Sequence, residues 1–412
     1  MPDNQNNDNN FDDAFRFIIK LGALAHSYGP NAIRLESFLS RVTTSLGYYG
    51  VFRSSPTEIY FAISRERDSP QRTHLAIMSG TGLDLARLAR VGVLVDKVVA
   101  GEITLADAMN RLEEINKAPH PWGRIANAAA CVFVGSGFAV LLSGGWWDVF
   151  FSALFSLVVY GMVQLSGRFG ARADEWLPLS SAFVAGFLAA AMNILLPGVN
   201  VVLVTLSAIL ILIPGFPISV GVIEILSKRV VSGGANLMSG LVYLAKQFAG
   251  AWLGVGLVRN FWSIPKTPTL VAVNSQWLWL FMPLLIIGLC VVFQTSLRDF
   301  FWAVFGCGIA YGGILLGRTM AGGNLGNLLG TIIAVMYANL WAGKTGRPTS
   351  IVLLPAIVLL VSGSIGFRGL AAIASGQTSA GGQQFLQMFI VALTIGVGLL
   401  VGNTMVRPEL TL

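Results

Sequence analysis

The sequence predicts a mainly α-helical, polytopic membrane protein. We expect about ten transmembrane helices, arranged as two five-helix inverted repeats and preceded by a small α/β cytoplasmic domain. Of the 412 residues, 54% are hydrophobic and only 11% are charged, whereas soluble domains carry about 25% charged residues. Apolar runs of about 20 residues, the length of a spanning helix, follow one another through most of the chain. The apolar part also repeats itself weakly at a constant offset.

Charge divides the chain into two parts. Residues 1–121 hold 14 of the 20 acidic groups and 13 of the 27 basic groups, a net charge of −1. Residues 122–412 hold the other 6 acidic and 14 basic groups, a net charge of +8. Because the positive charge belongs to the apolar part, it indicates membrane orientation, and we expect a lipid bilayer and no nucleic acid as partner. Residues 1–13 are polar and predict a disordered tail, with no cleavable signal peptide.

Residues 14–121 are predicted to form the small cytoplasmic domain. Apolar residues at helical spacing predict a helix over residues 35–46. Alternating apolar residues on both sides of residues 54–56 predict two short strands. Thr104 and Asp107 have the spacing of a capping box, which predicts the start of another helix.

Ten apolar runs predict the membrane spans, and the fourth is the shortest. They cover residues 125–143, 147–165, 178–196, 199–214, 237–258, 277–297, 300–317, 324–342, 350–372 and 384–405. With the N-terminus inside, the cytoplasmic connections carry Arg168, Arg172, Lys228, Arg229, Arg298, Lys344, Arg347 and Arg407. The opposite side has only Arg259, Lys266 and Arg318. The positive-inside rule therefore predicts both termini in the cytoplasm, in a multi-pass protein of the cell membrane.

The membrane part repeats at an offset of 148 residues. Residues 208–215 then lie over residues 356–363, and the glycine pair 233–234 lies over the pair 381–382. Because five spans per half is an odd number, two such halves enter the membrane in opposite orientations. Inverted repeats are typical of alternating-access transporters, whose substrate site lies between the repeats. The predicted halves are residues 122–258 and 277–412, joined by a linker over residues 259–276.

Each half contains a hydrophobic helix that is interrupted at a glycine, Gly215 in the first half and Gly363 in the second. A helix that restarts after such a break directs free N–H groups at whatever fills the cavity, and these groups favour a carboxylate. We therefore predict substrate contacts at Gly215, Gly363 and Ser364. The alternative is a structural kink or a loop at the membrane surface.

Few charged residues lie near membrane depth, where they are costly and usually functional. Glu224 follows the first break, and we predict that it exchanges a coupling proton. The alternative is a solvated position on a cytoplasmic amphipathic helix, next to Lys228. Lys246 and Arg368 are predicted to bind substrate, and the alternative for each is a side chain that extends to the membrane surface.

No enzyme or cofactor motif is present. The sequence has no Walker loop, no HExxH motif and no nucleophile elbow, and its three histidines lack the spacing of a metal site. Cys131, Cys290 and Cys307 lie in apolar runs and predict neither a disulfide nor a thiolate metal site. We therefore expect no catalytic residue, no metal and no cofactor. Without a nucleotide-binding motif, the energy for transport would come from an ion gradient.

Several motifs together resemble the threonine/serine exporter family in its fused two-half form. The opening of the domain is similar to that of the family at residues 34–36 (Arg-Leu-Glu) and 55–57 (Ser-Pro-Thr). Residues 213–218 resemble the family's Pro-Gly-x-Pro break in the first half. Residues 362–370 resemble the Gly-Ser-x-Gly-Phe-Arg-Gly element of the second half. The resemblance covers nearly all of residues 14–405.

The chain departs from the family pattern at three positions. Ser362 replaces the usual proline, Glu224 stands where relatives often have an Arg-Asp pair, and Asn236 stands where many have arginine. An acidic group is kept, but the substrate is left open.

The resemblance implies a secondary active exporter of threonine and serine that works by proton antiport. Some relatives with split chains are thought to handle succinate, so a dicarboxylate exporter is the alternative; the net charge of +8 and Arg368 would then attract the anion. A third interpretation is a membrane-anchored enzyme or sensor that acts through residues 14–117, although it would not need ten spans. A homo-oligomer is compatible with each interpretation.

Overall fold

The protein is mainly helical, with one small sheet near the N-terminus. The computed structural model describes residues 2–29, 32–78, 82–263, 271–321, 323–360 and 363–407. The N-terminal elements are α1 (Pro2–Ser27), α2 (Ala32–Ser45), β1 (Tyr49–Ser54), β2 (Glu58–Ser64), β3 (Arg72–Ile77), α3 (Leu85–Val99) and α4 (Leu105–Lys117). The remaining helices are α5 (Arg124–Leu141), α6 (Trp146–Phe169), α7 (Ala171–Leu195), α8 (Val201–Ala208), α9 (Gly215–Leu226), α10 (Val230–Phe261), α11 (Leu278–Val292), α12 (Leu297–Ala321), α13 (Gly323–Thr345), α14 (Ser350–Leu360), α15 (Gly363–Ala374) and α16 (Thr378–Met405).

The N-terminal domain (residues 14–121) packs its helices on one face of a three-stranded antiparallel sheet. Strand β2 pairs with β1 on one side and with β3 on the other. Phe17 of α1, Leu39 of α2 and Phe61 of β2 are fully buried in its core. The two strands predicted around residues 54–56 are therefore confirmed. Strand β3 was not predicted, because five of its six residues are exposed and leave no alternating apolar pattern.

Helix α1 begins at Pro2, so the structure places residues 2–13 in a helix, where the sequence predicts a disordered tail. Phe11 is buried, with the ring of Tyr48 at 5.2 Å and the guanidinium of Arg65 at 5.4 Å from its centroid. Asp12 forms an ion pair with Arg72 of β3. These contacts attach residues 11 and 12 to the sheet and its flanks.

The membrane part confirms a multi-pass architecture. Among the described residues, nine helices are long and apolar enough to cross a membrane. One of them runs through α14 and α15 and across residues 361–362, which lie outside the described ranges. Helices α8 and α9 pass the same test only as a pair that is bent by 60°. The short fourth run predicted from the sequence, residues 199–214, covers α8 and the turn after it but not α9.

The N-terminal domain lies against one end of the membrane helices. The N–H groups of Leu85 and Ala86, at the start of α3, donate to the carbonyl oxygens of Phe293 and Gln294 after α11, both at 3.0 Å. The connections α9–α10, α11–α12 and α13–α14 lie at this end. Three of the basic residues predicted to be cytoplasmic lie in these connections (Lys228, Arg229 and Arg347), and two lie on the helix ends beside them (Arg298 and Lys344).

Close glycine contacts recur at the 148-residue offset. A Cβ added at Gly221 of α9 would lie 2.8 Å from the backbone oxygen of Gly233 of α10. A Cβ added at Gly369 of α15 would lie 2.9 Å from the backbone oxygen of Gly381 of α16. The hairpins α9–α10 and α15–α16 therefore pack through equivalent glycines, although the inverted relation between the halves stays a prediction.

We expect Gly250 to be essential for the packing of α10 on α7. A Cβ added at Gly250 would lie 2.1 Å from the carbonyl oxygen of Leu179, whereas one at Gly256 would meet nothing within 4 Å. Gly250→Ala should lower the free energy of unfolding by about 1–3 kcal/mol, the usual cost of overpacking. Gly256→Ala, on the same helix, should be neutral or slightly stabilising because alanine favours helices. Thermal unfolding of the purified variants measures both effects, and equal melting temperatures would contradict this packing.

Candidate functional site

The two glycines at which the sequence predicts helix breaks lie next to each other. The break before Gly215 is observed, whereas residues 361–362, just before Gly363, lie outside the described ranges. A Cβ added at Gly363, the first residue of α15, would lie 3.0 Å from the Cα and 3.2 Å from the backbone nitrogen of Gly215, the first residue of α9. It would also lie 2.6 Å from Cγ2 of Ile213. Glycine at position 363 therefore lets α15 approach the N-terminus of α9 closely. Ser362, where the family has proline, lies outside the described residues.

The first break has a partner in the neighbouring helix. Helix α8 ends at Ala208, a short 3-10 turn covers residues 210–212, and α9 restarts at Gly215. The fully buried side chain of Gln247, on α10, donates to the carbonyl oxygen of Leu212 at 3.0 Å. Backbone groups freed by a break at membrane depth must be satisfied by protein or by a polar cavity. Gln247 satisfies one of them.

A cavity of about 510 Å³ lies between these breaks and the N-terminal domain, within the size range of small-molecule sites. Pro214, Phe216 and Ser364 line it beside Gly215 and Gly363, which face each other and do not themselves line it. Most of the lining is apolar. Its polar side chains are His26, Ser54, Ser55, Thr57, Asn236, Ser239, Tyr243 and Ser364. Histidine apart, none of the described lining residues is acidic or basic.

The N-terminal domain supplies one wall of this cavity, through α1 and the turn between β1 and β2. His26 is 4% exposed, and its Nε2 lies 2.8 Å from the carbonyl oxygen of Ser55, so Nε2 donates a proton in this contact. Burial lowers the pKa of His26, which keeps the ring neutral at neutral pH. Sequence analysis missed this wall, although the Ser-Pro-Thr motif at residues 55–57 was a signal for it.

His26 gives a testable pH dependence. Because burial lowers its pKa below the ordinary value of 6.5, the unfolded chain binds this proton more readily than the folded chain. The stabilisation from neutral His26 should be complete above about pH 6.5 and should decrease as the pH falls below that value. His26→Gln keeps a donor for Ser55 and should reduce this loss. Melting temperatures of both proteins on each side of pH 6.5 check the sign, and identical pH profiles would contradict it.

Glu224 is fully buried near the end of α9, beneath the N-terminal domain. Its carboxylate accepts hydrogen bonds from the backbone N–H of Ala32 at 3.2 Å and from the side-chain amide of Asn236 at 2.9 Å. The hydroxyl of Ser232 donates to it as well. This burial disagrees with the alternative of a solvated residue on an amphipathic helix. Asn236 also lines the cavity, so it connects Glu224 with the site.

Lys246 and Arg368 do not belong to the described lining of the cavity. Lys246 is exposed, and its Nζ donates to the backbone oxygen of Glu175, on α7, at 3.4 Å. Arg368 is half-buried on α15, and its Nε has no hydrogen-bond partner among the described residues. The substrate contacts predicted for these two side chains therefore find no support in the described lining of the cavity.

Sequence comparison places these features in a family. A family model described as "Putative threonine/serine exporter" matches residues 16–258, and a second, described as "Threonine/Serine exporter", matches residues 278–405. The chain belongs to the threonine/serine exporter family. Membership confirms the resemblance seen in the motifs.

Relatives match across most of the chain. A "Probable threonine/serine exporter" of Mycobacterium tuberculosis is 23% identical over 373 residues, which cover 85% of this chain and 68% of that protein. An uncharacterized protein of Schizosaccharomyces pombe is 22% identical over 370 residues, which cover 86% of this chain and 48% of that protein. Pheromone-regulated membrane protein 10 of Candida albicans is 22% identical over 370 residues, 85% of this chain and 32% of that protein. The chain thus spans about half the length of the Schizosaccharomyces relative and about a third of the length of the Candida relative. No solved structure matches.

Proposed function

We propose that this protein exports threonine and serine across the cell membrane by proton antiport. The observation that carries this proposal is the cavity beside the contact of Gly215 with Gly363, whose described lining holds no charged side chain at neutral pH. A zwitterionic amino acid has no net charge, so it can enter such a site without leaving an unpaired ion behind.

The substrate would be held by its two ends. Its carboxylate would lie against the first turn of α9 and beside Ser364 of α15, because a helix N-terminus favours negative charge. Its ammonium and hydroxyl groups would contact the oxygens of Asn236, Ser239 and Tyr243, which line the cavity from α10. Ser364 is the remaining hydroxyl in the membrane wall of the cavity.

A dicarboxylate such as succinate fits this cavity less well. Two carboxylates would need at least one cation, and burying an unpaired charge is costly. The described lining contains no lysine or arginine, and Lys246 and Arg368 lie outside it. The Mycobacterium relative, described as a "Probable threonine/serine exporter", also favours an amino acid over a dicarboxylate as the substrate.

Transport would proceed by alternating access between the two halves, with Glu224 as the proton carrier. The recurrence of the glycine contacts at the 148-residue offset supports two related halves. The position of the basic connections beside the N-terminal domain supports a cytoplasmic location for that domain. An enzyme or sensor that acts through residues 14–117 is disfavoured, because the domain contributes a wall to a cavity in a transporter.

Transport by purified protein in liposomes tests this function. With a pH gradient imposed, labelled threonine and serine should move and labelled succinate should not. Dissipating the gradient with a protonophore should stop net movement, because proton antiport has no other source of energy. Movement of succinate alone would replace the proposed substrate, and movement that ignores the gradient would refute the antiport mechanism.

A further inference from the structure

We propose that the N-terminal domain is a gate that closes the cavity at one end of the membrane part, and that protonation of Glu224 releases it. The proton trigger rests on the proposed antiport, whereas the gate itself rests on contacts. These contacts join the domain to both halves of the membrane part.

Glu224 holds the start of α2. The first turn of α2 contains no acidic residue of its own, and the Glu224 carboxylate accepts from the N–H of Ala32, the first residue of that helix. A negative charge at a helix N-terminus is favourable, both for the hydrogen bond and for the helix dipole. The Glu224 carboxylate, which belongs to the membrane part, therefore acts as an N-terminal cap of α2. Ala32 also lines the cavity.

Glu36 of α2 forms the second contact with the first half. It is 7% exposed and forms ion pairs with Arg229, just before α10, and with Arg53 of β1. The same carboxylate accepts from the backbone N–H of Ser54 at 2.9 Å. Ser54 begins the turn that lines the cavity, so the group that attaches the domain also positions its wall.

The domain binds the second half as well. The start of α3 donates to the carbonyls after α11, as described above, and Arg34 donates to the hydroxyl of Ser350, at the start of α14, at 3.4 Å. Burial lowers the pKa of Arg34 to about 10, which leaves it protonated at neutral pH. One rigid domain therefore bridges both halves at this end, and they cannot separate there while it stays attached.

Protonation of Glu224 would weaken this attachment. A neutral carboxyl gains nothing from the dipole of α2, and its hydrogen bonds are about half as strong as those of a carboxylate. The elements packed around Glu224 carry these charged groups: Arg34, Glu36 and Arg41 on α2, Lys228 and Arg229 before α10, Lys246 and Arg259 on α10, and Arg368 on α15. Lys246 and Arg259 lie at least ten residues beyond Asn236 along α10, and helices α14 and α16 carry no charged group in their described residues. Arg229 already pairs with Glu36, so the partners of Glu224 are neutral donors.

Labelling of a cysteine inside the cavity tests the gate. The probe is a membrane-impermeant maleimide, applied to Ser364→Cys in membrane vesicles whose outer face carries the N-terminal domain. The native Cys131, Cys290 and Cys307 are buried and give a low background. Glu224→Gln, which keeps the side-chain volume without the charge, should raise the labelling rate about tenfold, as expected for the loss of one charge-assisted hydrogen bond.

Two further variants make the result decisive. Glu36→Gln removes the second contact without changing Glu224 and should raise the rate as well. Glu102→Gln alters an exposed carboxylate of the same domain and should leave the rate unchanged. Equal rates in all variants would overturn the gate, and an increase with Glu36→Gln alone would overturn the trigger. Labelling needs neither substrate nor gradient. If labelling increases as expected but the protein does not export threonine, the gate stands and only the proposed function is contradicted.

Discussion

Glu224→Gln should reduce gradient-driven threonine export to the background of protein-free liposomes, while exchange of threonine for threonine continues. The amide keeps the volume of the side chain and can accept the hydrogen bond from Ala32, but it cannot take up and release a proton. Coupled export needs that proton on every cycle, whereas exchange of substrate across the membrane does not. Parallel efflux and exchange assays on the same proteoliposomes measure both.

The matched control for this variant is Glu102→Gln, in which an exposed carboxylate outside the cavity is neutralised in the same way. It should export threonine like the unaltered protein. Gradient-driven export by Glu224→Gln at the level of this control, at every pH tested, would exclude Glu224 as the proton carrier.

Gly363→Ala should strongly weaken threonine binding, because it forces α15 away from the start of α9 beside the cavity. The added methyl would lie 3.0 Å from the Cα of Gly215 and 2.6 Å from Cγ2 of Ile213. Such overpacking costs about 1–3 kcal/mol, and every 1.4 kcal/mol lost from binding is about a tenfold loss of affinity. Equilibrium binding of labelled threonine to the purified variant measures the effect.

Gly382→Ala is the control for that substitution. It adds the same methyl group to α16, where the new Cβ meets nothing within 4 Å. Its threonine affinity should equal that of the unaltered protein. If both variants bind threonine equally well, the close approach of Gly215 and Gly363 is not needed for the site.

Much of the fold could be predicted because its signals are local. Span lengths follow from runs of apolar residues, and the start of α4 follows from a side chain three residues away. Thr104 accepts from the backbone N–H of Asp107 at 3.2 Å, as the capping spacing predicts. Strand β3 lacks such a local signal, because pairing with β2 and not apolar burial defines it.

The candidate site was only partly predictable, because its contacts join residues far apart in the chain. The breaks at Gly215 and Gly363 could be located, since each interrupts an apolar run. Their contact, and the contribution of His26 to the same cavity, depend on how three separate parts of the chain pack. The substrate contact predicted for Lys246 has a related cause. Its position in an apolar run did not reveal which side of the helix faces the cavity.

Threonine is proposed to bind in the cavity beside the contact of Gly215 with Gly363. An experimental structure of the full chain with bound threonine tests this site most directly. Density for threonine is expected between Phe216 and Ser364, with its carboxylate against the first turn of α9. Density elsewhere, for example beside the exposed Lys246 of α10, would contradict this site.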